Sequence, residues 1–479
     1  MNYSVVIYIL GWIMEIEAAF LALPGIVSAI YGEKGGFAFL WVALGSAVAG
    51  SAIILRKPKN MRFYLREGFV TVALSWILMS VIGCLPFVIN GDIPHFADAL
   101  FEMISGFTTT GATVVSDVEG LTKGSLFWRS FSHWIGGMGV LVFLLAIVPM
   151  AGGSHMNLMK AESPGPSVGK LVPKVRQTAK YLYIIYFALT MIEVIFLLFG
   201  GMNLFEALTT SFGTAGTGGF AIWNDGFVSV SPYNQWVVTI FMLLFGVNFG
   251  FYFLILTGKL RDALKFEEVR IYFIIVIAAA VFIFINLRHF ALYAPAEGIR
   301  QAFFQVASII TTTGFATADY LLWPPLLGLI LFLLLFVGAS AGSTAGGMKV
   351  VRVYLLFKNS FVELKRIIHP NGIINVKYNN KSVHPNIMTG IMAFAILFMI
   401  VFTIGSLIMT IFTEDIITAC SAVVSSMSNV GPGFGSVGPM FSYAHLNDFA
   451  KLFLAFLMLV GRLEIFTVMV LFTKAFWRK

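Results

Sequence analysis

The sequence predicts an all-α integral membrane protein with ten transmembrane helices and four re-entrant segments. Hydrophobic residues make up 58% of the 479 residues and charged residues only 11%, whereas a soluble domain carries roughly 25% charged residues. Apolar stretches of about 20 residues, the length that crosses a bilayer, recur along the whole chain. Shorter apolar stretches that break into Thr, Ser and Gly lie between some of them. No polar stretch is long enough to form a soluble domain with its own core.

The ten predicted crossings leave both termini on the same side of the membrane, because their number is even. The crossings are 4–31, 37–55, 69–90, 126–150, 180–200, 234–258, 271–294, 321–357, 386–411 and 449–475. The first apolar stretch lacks a basic region before it and a small-residue cleavage site after it. We therefore expect it to be a retained helix.

Positive charge is concentrated in five loops or tails, and the loops between them contain acidic residues such as Asp92, Asp117 and Asp225. The basic stretches are 56–66, 160–180, 259–270, 349–381 and 474–479. The positive-inside rule assigns all five, and hence both termini, to the cytoplasm. Because the net charge of +8 is segregated in this way, it indicates a bilayer as partner and no nucleic acid.

Four segments on the opposite side do not fit simple loops. They are 95–120, 203–226, 298–320 and 414–440. Each begins with an apolar stretch of about 10 to 15 residues, too short to cross, and continues as Gly- and Thr-rich chain. Irregular backbone at membrane depth persists only inside protein or beside water. This pattern predicts a short helix that enters the membrane and returns.

These segments recur with a spacing near 100 residues, which is typical of internal repeats. The glycines 111, 218, 314 and 431 mark the recurring position. Each predicted repeat contains a helix, a re-entrant segment and a second helix around one pseudo-four-fold pore, and an N-terminal helix pair stands outside the repeats. The predicted units are 1–60 for the helix pair, then 61–165, 166–262, 263–372 and 373–479 for the four pore repeats.

A Thr-Gly or Val-Gly pair occurs in all four segments, and this pattern favours binding of a cation. A potassium filter replaces the water shell of the ion with backbone carbonyl oxygens from four loops, and Gly permits the backbone conformation required. The candidate ion-binding residues are Thr109, Thr110, Gly111, Thr217, Gly218, Thr312, Thr313, Gly314, Asn429, Val430 and Gly431. In the second segment Gly216 is a rival to Gly218. The alternative is that these clusters mark ordinary outer turns or close helix packing.

The eighth predicted crossing is interrupted between Gly338 and Gly347, and it is too long for one straight span. A run of Gly, Ala, Ser and Thr forms a weak helix, and unravelled backbone in lipid must face a cavity. We predict a gating loop here; the alternative is a flexible helix packed through small residues. The candidate gate residues are Gly342, Ser343, Thr344, Gly346, Gly347, Lys349 and Arg462.

Arg462 is a costly charge inside the last crossing, so it is expected to face a cavity or a partner. One alternative is a structural pair with Glu464 or with a carbonyl group. Lys451 near the outer end is expected to extend its amine to the interface. His133 beside Trp134 is assigned an interfacial position and no chemistry.

The chain resembles the Trk/Ktr/HKT superfamily of potassium transporters, and most closely its bacterial Trk potassium uptake membrane subunits. The matching strings are Ser105–Thr113, Thr311–Phe315, Gly338–Val350 and Ser428–Gly433. The resemblance implies potassium uptake across the bacterial inner membrane, with K⁺ bound in the filter and no organic cofactor. It also implies an intramembrane loop that obstructs the pore, with an Arg just below the filter at position 462. A cytosolic, TrkA-like regulatory subunit with nucleotide-binding RCK domains and a homodimer are implied as well.

Two other functions are weighed against a gated pore. A secondary transporter coupled to Na⁺ or H⁺ would be expected to contain inverted repeats, whereas here all four re-entrant segments lie on one side. An intramembrane enzyme would need a catalytic dyad or a metal cluster, and the seven His show no H-E-x-x-H spacing. We therefore predict that the chain is not an enzyme.

Overall fold

The computed structural model describes residues 1–478 apart from 62, 148–174, 371 and 373. The regular secondary structure of the described part is helical except for one small hairpin of the strands Lys377–Tyr378 and Lys381–Ser382. The long and medium helices are Tyr3–Ile30, Gly36–Ile54, Leu65–Asn90, Lys123–Ile147, Val175–Phe199, Pro232–Phe245, Phe249–Leu256, Glu267–His289, Pro325–Val337, Val350–Ile368, Pro385–Met409, Asp448–Arg462 and Ile465–Leu471. Two small helices, Leu260–Leu264 and Lys474–Trp477, lie in the basic stretches.

The protein is a multi-pass membrane protein. Six helices in the described part of the chain are long and apolar enough to cross a membrane, and two bent helix pairs raise the number to eight. The pair Pro232–Phe245 and Phe249–Leu256 bends by 88°, and the pair Asp448–Arg462 and Ile465–Leu471 bends by 114°. Ten crossings therefore stay a prediction. Most of the basic stretch predicted at 160–180 lies outside the described residues.

The N-terminal helix pair packs through small residues. Gly11 lies so close to the partner helix that a Cβ there would be 3.2 Å from the carbonyl oxygen of Gly50, which is typical of membrane helix interfaces. The Glu33 carboxylate in the connection accepts from the Lys123 and Gly124 N–H groups at 2.7 and 3.2 Å. It therefore caps the start of Lys123–Ile147 and joins the pair to the rest of the molecule.

Four short helices, each followed by irregular backbone, occupy the predicted re-entrant segments. Short helices 1 to 4 are Phe96–Phe107, Leu204–Gly216, Pro295–Ile310 and Ile416–Ser428, and turns 1 to 4 are residues 108–113, 217–221, 311–316 and 429–434. Each short helix begins at an exposed residue and ends at a buried one. The helix C-termini, which carry partial negative charge, therefore point into the protein.

The interruption predicted in the eighth crossing is present. Pro325–Val337 ends before Gly338, and the chain becomes helical again only at Val350. Three glycines of the intervening loop, Gly338, Gly342 and Gly347, have φ near +70°. Such values favour glycine and prevent the loop from continuing the helix. Residues 338–349 are called the intramembrane loop below.

Candidate ion-conduction site

The four turns share one backbone conformation. In each, a residue with positive φ between 54° and 58° is followed two positions later by a glycine with φ between 80° and 100°. The first residues are Thr109, Thr217, Thr312 and Asn429, and the glycines are Gly111, Gly219, Gly314 and Gly431. Left-handed backbone at three Thr and one Asn is uncommon and strained. Its recurrence at equivalent positions indicates that the same structure is built four times.

Hydrogen bonds give the same alignment independently. The residue between the two positive-φ residues donates its N–H to the carbonyl five residues earlier, at 2.9 Å in every turn. These bonds run from Thr110 to Ser105, from Gly218 to Gly213, from Thr313 to Ser308 and from Val430 to Ser425. Gly218 is therefore the counterpart of Thr110, Thr313 and Val430.

The alignment predicted for the second segment is wrong by one residue. Gly219, not Gly218 or its rival Gly216, corresponds to Gly111. The dipeptide Thr217-Gly218 looks like Thr110-Gly111 in sequence, but the backbone hydrogen bond of Gly218 sets the register. Thr217 is correspondingly the counterpart of Thr109.

The four turns touch one another in chain order and close into a ring. A Cβ at Gly111 would overlap the carbonyl oxygen of Gly218, and one at Gly219 would overlap that of Thr313. A Cβ at Gly314 would overlap the Val430 oxygen, and the carbonyl oxygen of Thr110 blocks the same space at Gly431. Glycine is therefore required at these positions for two reasons. The backbone has positive φ, and the neighbouring carbonyl oxygen occupies the position of a Cβ.

Polar side chains form hydrogen bonds within and between turns 1, 3 and 4. The hydroxyls of Thr108 and Thr110 lie 2.8 Å apart, and those of Thr311 and Thr313 repeat this pair at the same distance. The Asn429 amide donates to the Thr110 hydroxyl at 3.0 Å and so links turn 4 to turn 1. The resulting ring of backbone carbonyls, with four short-helix C-termini directed at it, has the chemistry that binds a cation without its water shell.

The intramembrane loop lies against one end of this ring. The Gly346 N–H donates to the Thr312 hydroxyl at 2.7 Å, and a Cβ at Gly346 would overlap the carbonyl oxygen of Ser428. Both partners precede the ring glycines of turns 3 and 4. The predicted gate residue Gly346 is therefore in direct contact with the predicted ion-binding residue Thr312.

Arg462 contacts the loop and the first repeat together. Its Nη1 donates to the Thr344 carbonyl at 2.9 Å, and its Nη2 donates to the Gly136 carbonyl at 2.5 Å. Of the two alternative partners, a carbonyl group matches these contacts, whereas the Glu464 carboxylate pairs with Arg352 at 2.6 Å. Arg462 thus connects the predicted gate residue Thr344 to the helix behind turn 1.

Further polar contacts hold the ends of the loop. The Ala341 N–H donates to the Glu268 carboxylate at 2.6 Å, and the Gly342 carbonyl accepts from the Phe249 N–H at 3.0 Å. The Ser343 hydroxyl donates to the carbonyl of Ser340 at 2.6 Å. At the other end, Lys349 has φ of 74° and its amine donates to the Ala345 carbonyl.

Comparison with known proteins identifies the family of the chain. The family model for cation transport proteins of the TrkH type matches residues 37–479. The Trk system potassium uptake protein TrkH of Escherichia coli K12 is 37% identical, and the alignment covers 100% of both chains. The chain belongs to the TrkH family.

Two other members of the TrkH family extend this comparison. The Trk system potassium uptake protein TrkG of Escherichia coli K12 is 32% identical, with 100% of this chain and 99% of that protein aligned. The crystal structure of the potassium transporter TrkH from Vibrio parahaemolyticus superimposes with a TM-score of 0.89. It is 32% identical and covers 100% of both chains, so the fold described above is that of the TrkH family.

A cavity of about 310 Å³ in this TrkH-family chain opens at the end of the ring opposite the loop. All four ring glycines line it, together with residues after them such as Met440 and Tyr443. The buried ion pair of Arg129 and Glu102, 2.8 Å apart, lies at its wall. The ring therefore separates this cavity from the intramembrane loop.

Sequence reasoning missed three features around the ring. His133 is not interfacial but fully buried, with Nδ1 2.8 Å from the Gly106 carbonyl. The largely buried amine of Lys451 pairs with Asp98 at 2.6 Å, a partner that the sequence did not suggest. The Arg129–Glu102 pair was also missed, although a charge within an apolar stretch is a sequence signal for a buried pair.

Proposed function

We propose that this chain takes up potassium across the bacterial inner membrane through one pore formed by four repeats. The repeats are residues 61–165, 166–262, 263–372 and 373–479, arranged with pseudo-four-fold symmetry, and residues 1–60 form an accessory helix pair. The observation that carries the proposal is the closed ring of four turns with the same backbone conformation. Ten crossings and both termini in the cytoplasm accord with the segregation of Lys and Arg.

The ion is K⁺, held by the turns as a selectivity filter. Carbonyl oxygens of Thr110, Gly218, Thr313 and Val430, each resting on a neighbouring ring glycine, replace its water molecules. The partial negative charge at the four short-helix C-termini favours a cation at the same place. The relatives at 32–37% identity carry the name of potassium uptake proteins, which supports this choice of ion.

The intramembrane loop is the gate of the pore. It contacts the ring through Gly346, and it lies at the end away from the cavity. Arg462 adds a fixed positive charge at this end, where it raises the energy of a nearby cation. Release of the loop and displacement of Arg462 open the path.

The partners are a second copy of this chain and a cytosolic TrkA-like subunit with RCK domains. The basic inner face offers the docking surface, with the hairpin at Lys377–Ser382 as one part of it. The name of the relatives, which refers to a Trk system, supports further components. Nucleotide binding belongs to that subunit and not to this chain.

Ion flux into liposomes that contain the purified protein tests the proposal. We expect K⁺ to enter when a K⁺ gradient is the only gradient applied, because a pore needs no coupled ion, and to enter faster than Na⁺ does in parallel liposomes with an equal Na⁺ gradient. Flux that requires a Na⁺ or H⁺ gradient would favour the alternative, a cation-coupled symporter. Equal entry of K⁺ and Na⁺ into liposomes with folded protein would contradict a potassium filter.

A further inference from the structure

Turn 2 is unlike the other three turns in composition. Where turns 1, 3 and 4 have Thr110, Thr313 and Val430, turn 2 has Gly218, and another glycine, Gly216, stands two residues earlier. Neither Gly216 nor Gly218 is among the positive-φ glycines, whereas Gly219 has φ of 80°. Backbone conformation therefore explains Gly219 but not the two glycines before it.

The space for a side chain at both positions is filled by His133 of the helix Lys123–Ile147. A Cβ at Gly218 would overlap the His133 imidazole, and a Cβ at Gly216 would overlap the His133 backbone carbonyl. His133 is fully buried, and its ring lies 4.3 Å from the ring of Phe220, measured between centroids. The two glycines thus allow this helix to approach turn 2 directly.

The imidazole connects two parts of the ring that lie far apart in the sequence. Its Nδ1 lies 2.8 Å from the Gly106 carbonyl of short helix 1, and its Nε2 lies 3.2 Å from the backbone N of Phe220, next to the ring residue Gly219. A carbonyl only accepts and a backbone N–H only donates, so Nδ1 donates and Nε2 accepts. The ring is therefore the neutral Nδ1–H tautomer.

Turn 2 needs such a support because it has few contacts of its own. Turns 1 and 3 each have a pair of Thr hydroxyls, and in turn 4 the Ser425 hydroxyl donates to the Gly431 carbonyl at 2.8 Å. The Thr217 hydroxyl donates only to the adjacent Gly216 carbonyl at 2.6 Å. Consecutive glycines also give this backbone the greatest freedom of the four.

We propose that His133 is a positioning residue for ion selectivity, which fixes turn 2 to short helix 1, and that Gly218 is glycine in order to accommodate it. The proposal rests on the filter function proposed above. His133 touches no ion; it acts by holding the Gly218 and Gly219 backbone at the position that the carbonyl ring requires. The two residues form a matched pair, in which the ring of one fills the space that the other leaves.

A double-mutant experiment in liposomes tests the pair through the K⁺/Na⁺ flux ratio of monodisperse protein. His133→Ala should lower the ratio by roughly threefold or more, as expected when the net hydrogen bonding of a positioned segment is lost. His133→Gln, whose amide both donates and accepts, should retain more of the ratio than His133→Ala. Gly218→Ala should lower the ratio alone, and the addition of His133→Ala should restore part of it, because the new methyl group then has space.

Ser130→Ala is the matched control on the same helix. The Ser130 hydroxyl is buried and has no hydrogen-bond partner in the described part of the chain, so this change should leave the ratio as it is. An unchanged ratio in His133→Ala, or a double mutant no better than Gly218→Ala, would overturn the proposal. If His133→Ala does not fold, Gly218→Ala is instead combined with His133→Ser. The proposal is then overturned if the K⁺/Na⁺ flux ratio of this double mutant is no higher than that of Gly218→Ala.

Gly111→Ser separates this failure from failure of the filter. If Gly111→Ser lowers the K⁺/Na⁺ ratio and the His133 variants do not, the filter stands and the role of His133 is rejected. If neither changes the ratio, the filter assignment itself is rejected.

Discussion

The four turns are held by contacts that repeat, whereas the intramembrane loop is held by contacts that each occur once. Every turn has the same 2.9 Å backbone hydrogen bond, and each ring glycine rests on the carbonyl of the next turn. The loop instead depends on contacts that differ from one another, made by single side chains such as Glu268 and Arg462 and by the Phe249 N–H. A repeated backbone contact gives four equal oxygens around an axis, which is what an ion-selective ring requires.

Single side-chain contacts have a different consequence. Because these contacts come from different residues, the proposed gate can lose one of them while the others remain. The ring is more rigid, because its glycines leave no space for adjustment, and its least supported turn, turn 2, is held by His133. The difference suits a rigid selecting element next to a movable gate, and it makes opposite predictions for mutations in the two regions.

The largest effect is expected in the ring. Gly314→Ser would place a Cβ onto the Val430 carbonyl in a backbone with φ of 84°, a strain of about 1–3 kcal/mol. The K⁺/Na⁺ flux ratio should fall about tenfold, since 1.4 kcal/mol corresponds to a factor of ten. Gly390→Ala is the control, because no atom of the described residues lies within 4 Å of a Cβ there. An unchanged ratio in Gly111→Ser, Gly314→Ser and Gly431→Ser alike would contradict the ring.

Arg462→Ala should change total flux rather than selectivity. Two unit charges about 6 Å apart interact by roughly 3 kcal/mol at an effective dielectric constant of 20, and the Thr344 contact is lost as well. K⁺ flux should therefore rise several-fold, and Arg462→Lys should stay closer to wild type because the charge persists.

Glu464→Gln serves as the check on Arg462→Ala. The ion pair of Glu464 is with Arg352. Adding Glu464→Gln to Arg462→Ala should therefore not return the flux or the yield of folded protein to the wild-type value. A purely structural role of Arg462 would give normal flux with low yield of folded protein.

A smaller rise in flux is expected when the start of the loop is released. Glu268→Ala removes the 2.6 Å acceptor of the Ala341 N–H, and a net hydrogen bond contributes about 0.5–1.5 kcal/mol. Basal K⁺ flux should increase about threefold, whereas Glu268→Gln, which retains a carbonyl acceptor, should behave like wild type. Equal or lower flux in folded Glu268→Ala would show that this contact does not restrain the loop.

The smallest effect on conduction is expected at the outer end of the last helix. Lys451→Met removes the partner of Asp98, whose side chain is 25% exposed. Because the pair is not fully buried, the cost should be below the ~3–5 kcal/mol of a buried pair. The midpoint of thermal unfolding should be a few degrees lower and the K⁺/Na⁺ flux ratio unchanged. An altered ratio would show that the Lys451–Asp98 pair contributes to selectivity.

Hydropathy predicted the positions of the six long apolar helices and of the four short helices in the described part of the chain, since lipid and protein interior impose their lengths and composition. It also predicted the break at Gly338, because a run of small residues cannot sustain a helix. It did not predict the bends of 88° and 114° in two other predicted crossings. Alignment of the second turn failed, since the dipeptide Thr217-Gly218 imitates Thr110-Gly111 while the hydrogen bond of Gly218 sets a different register.

Side-chain partners could not be predicted from local sequence. Arg462 lies two residues from Glu464 in the sequence, yet its contacts are to Thr344 and Gly136, more than a hundred residues away. The bend of 114° after Arg462, with Glu464 at φ of 62°, turns the two side chains apart. Such a bend depends on tertiary packing, and the neighbouring residues in the sequence do not predict it.

Closure of the ring has a consequence for biosynthesis. Turn 4 covers the Thr110 carbonyl through Gly431, so the ring is incomplete until roughly nine tenths of the 479 residues have been made. Arg462 follows only 31 residues after Gly431, and it brings the positive charge that opposes leak. A nascent chain that ends before turn 4 therefore has no complete ring. Arg462 is synthesised soon after the ring is complete. On the function proposed above, the order of the segments along the chain limits ion leak through the unfinished protein.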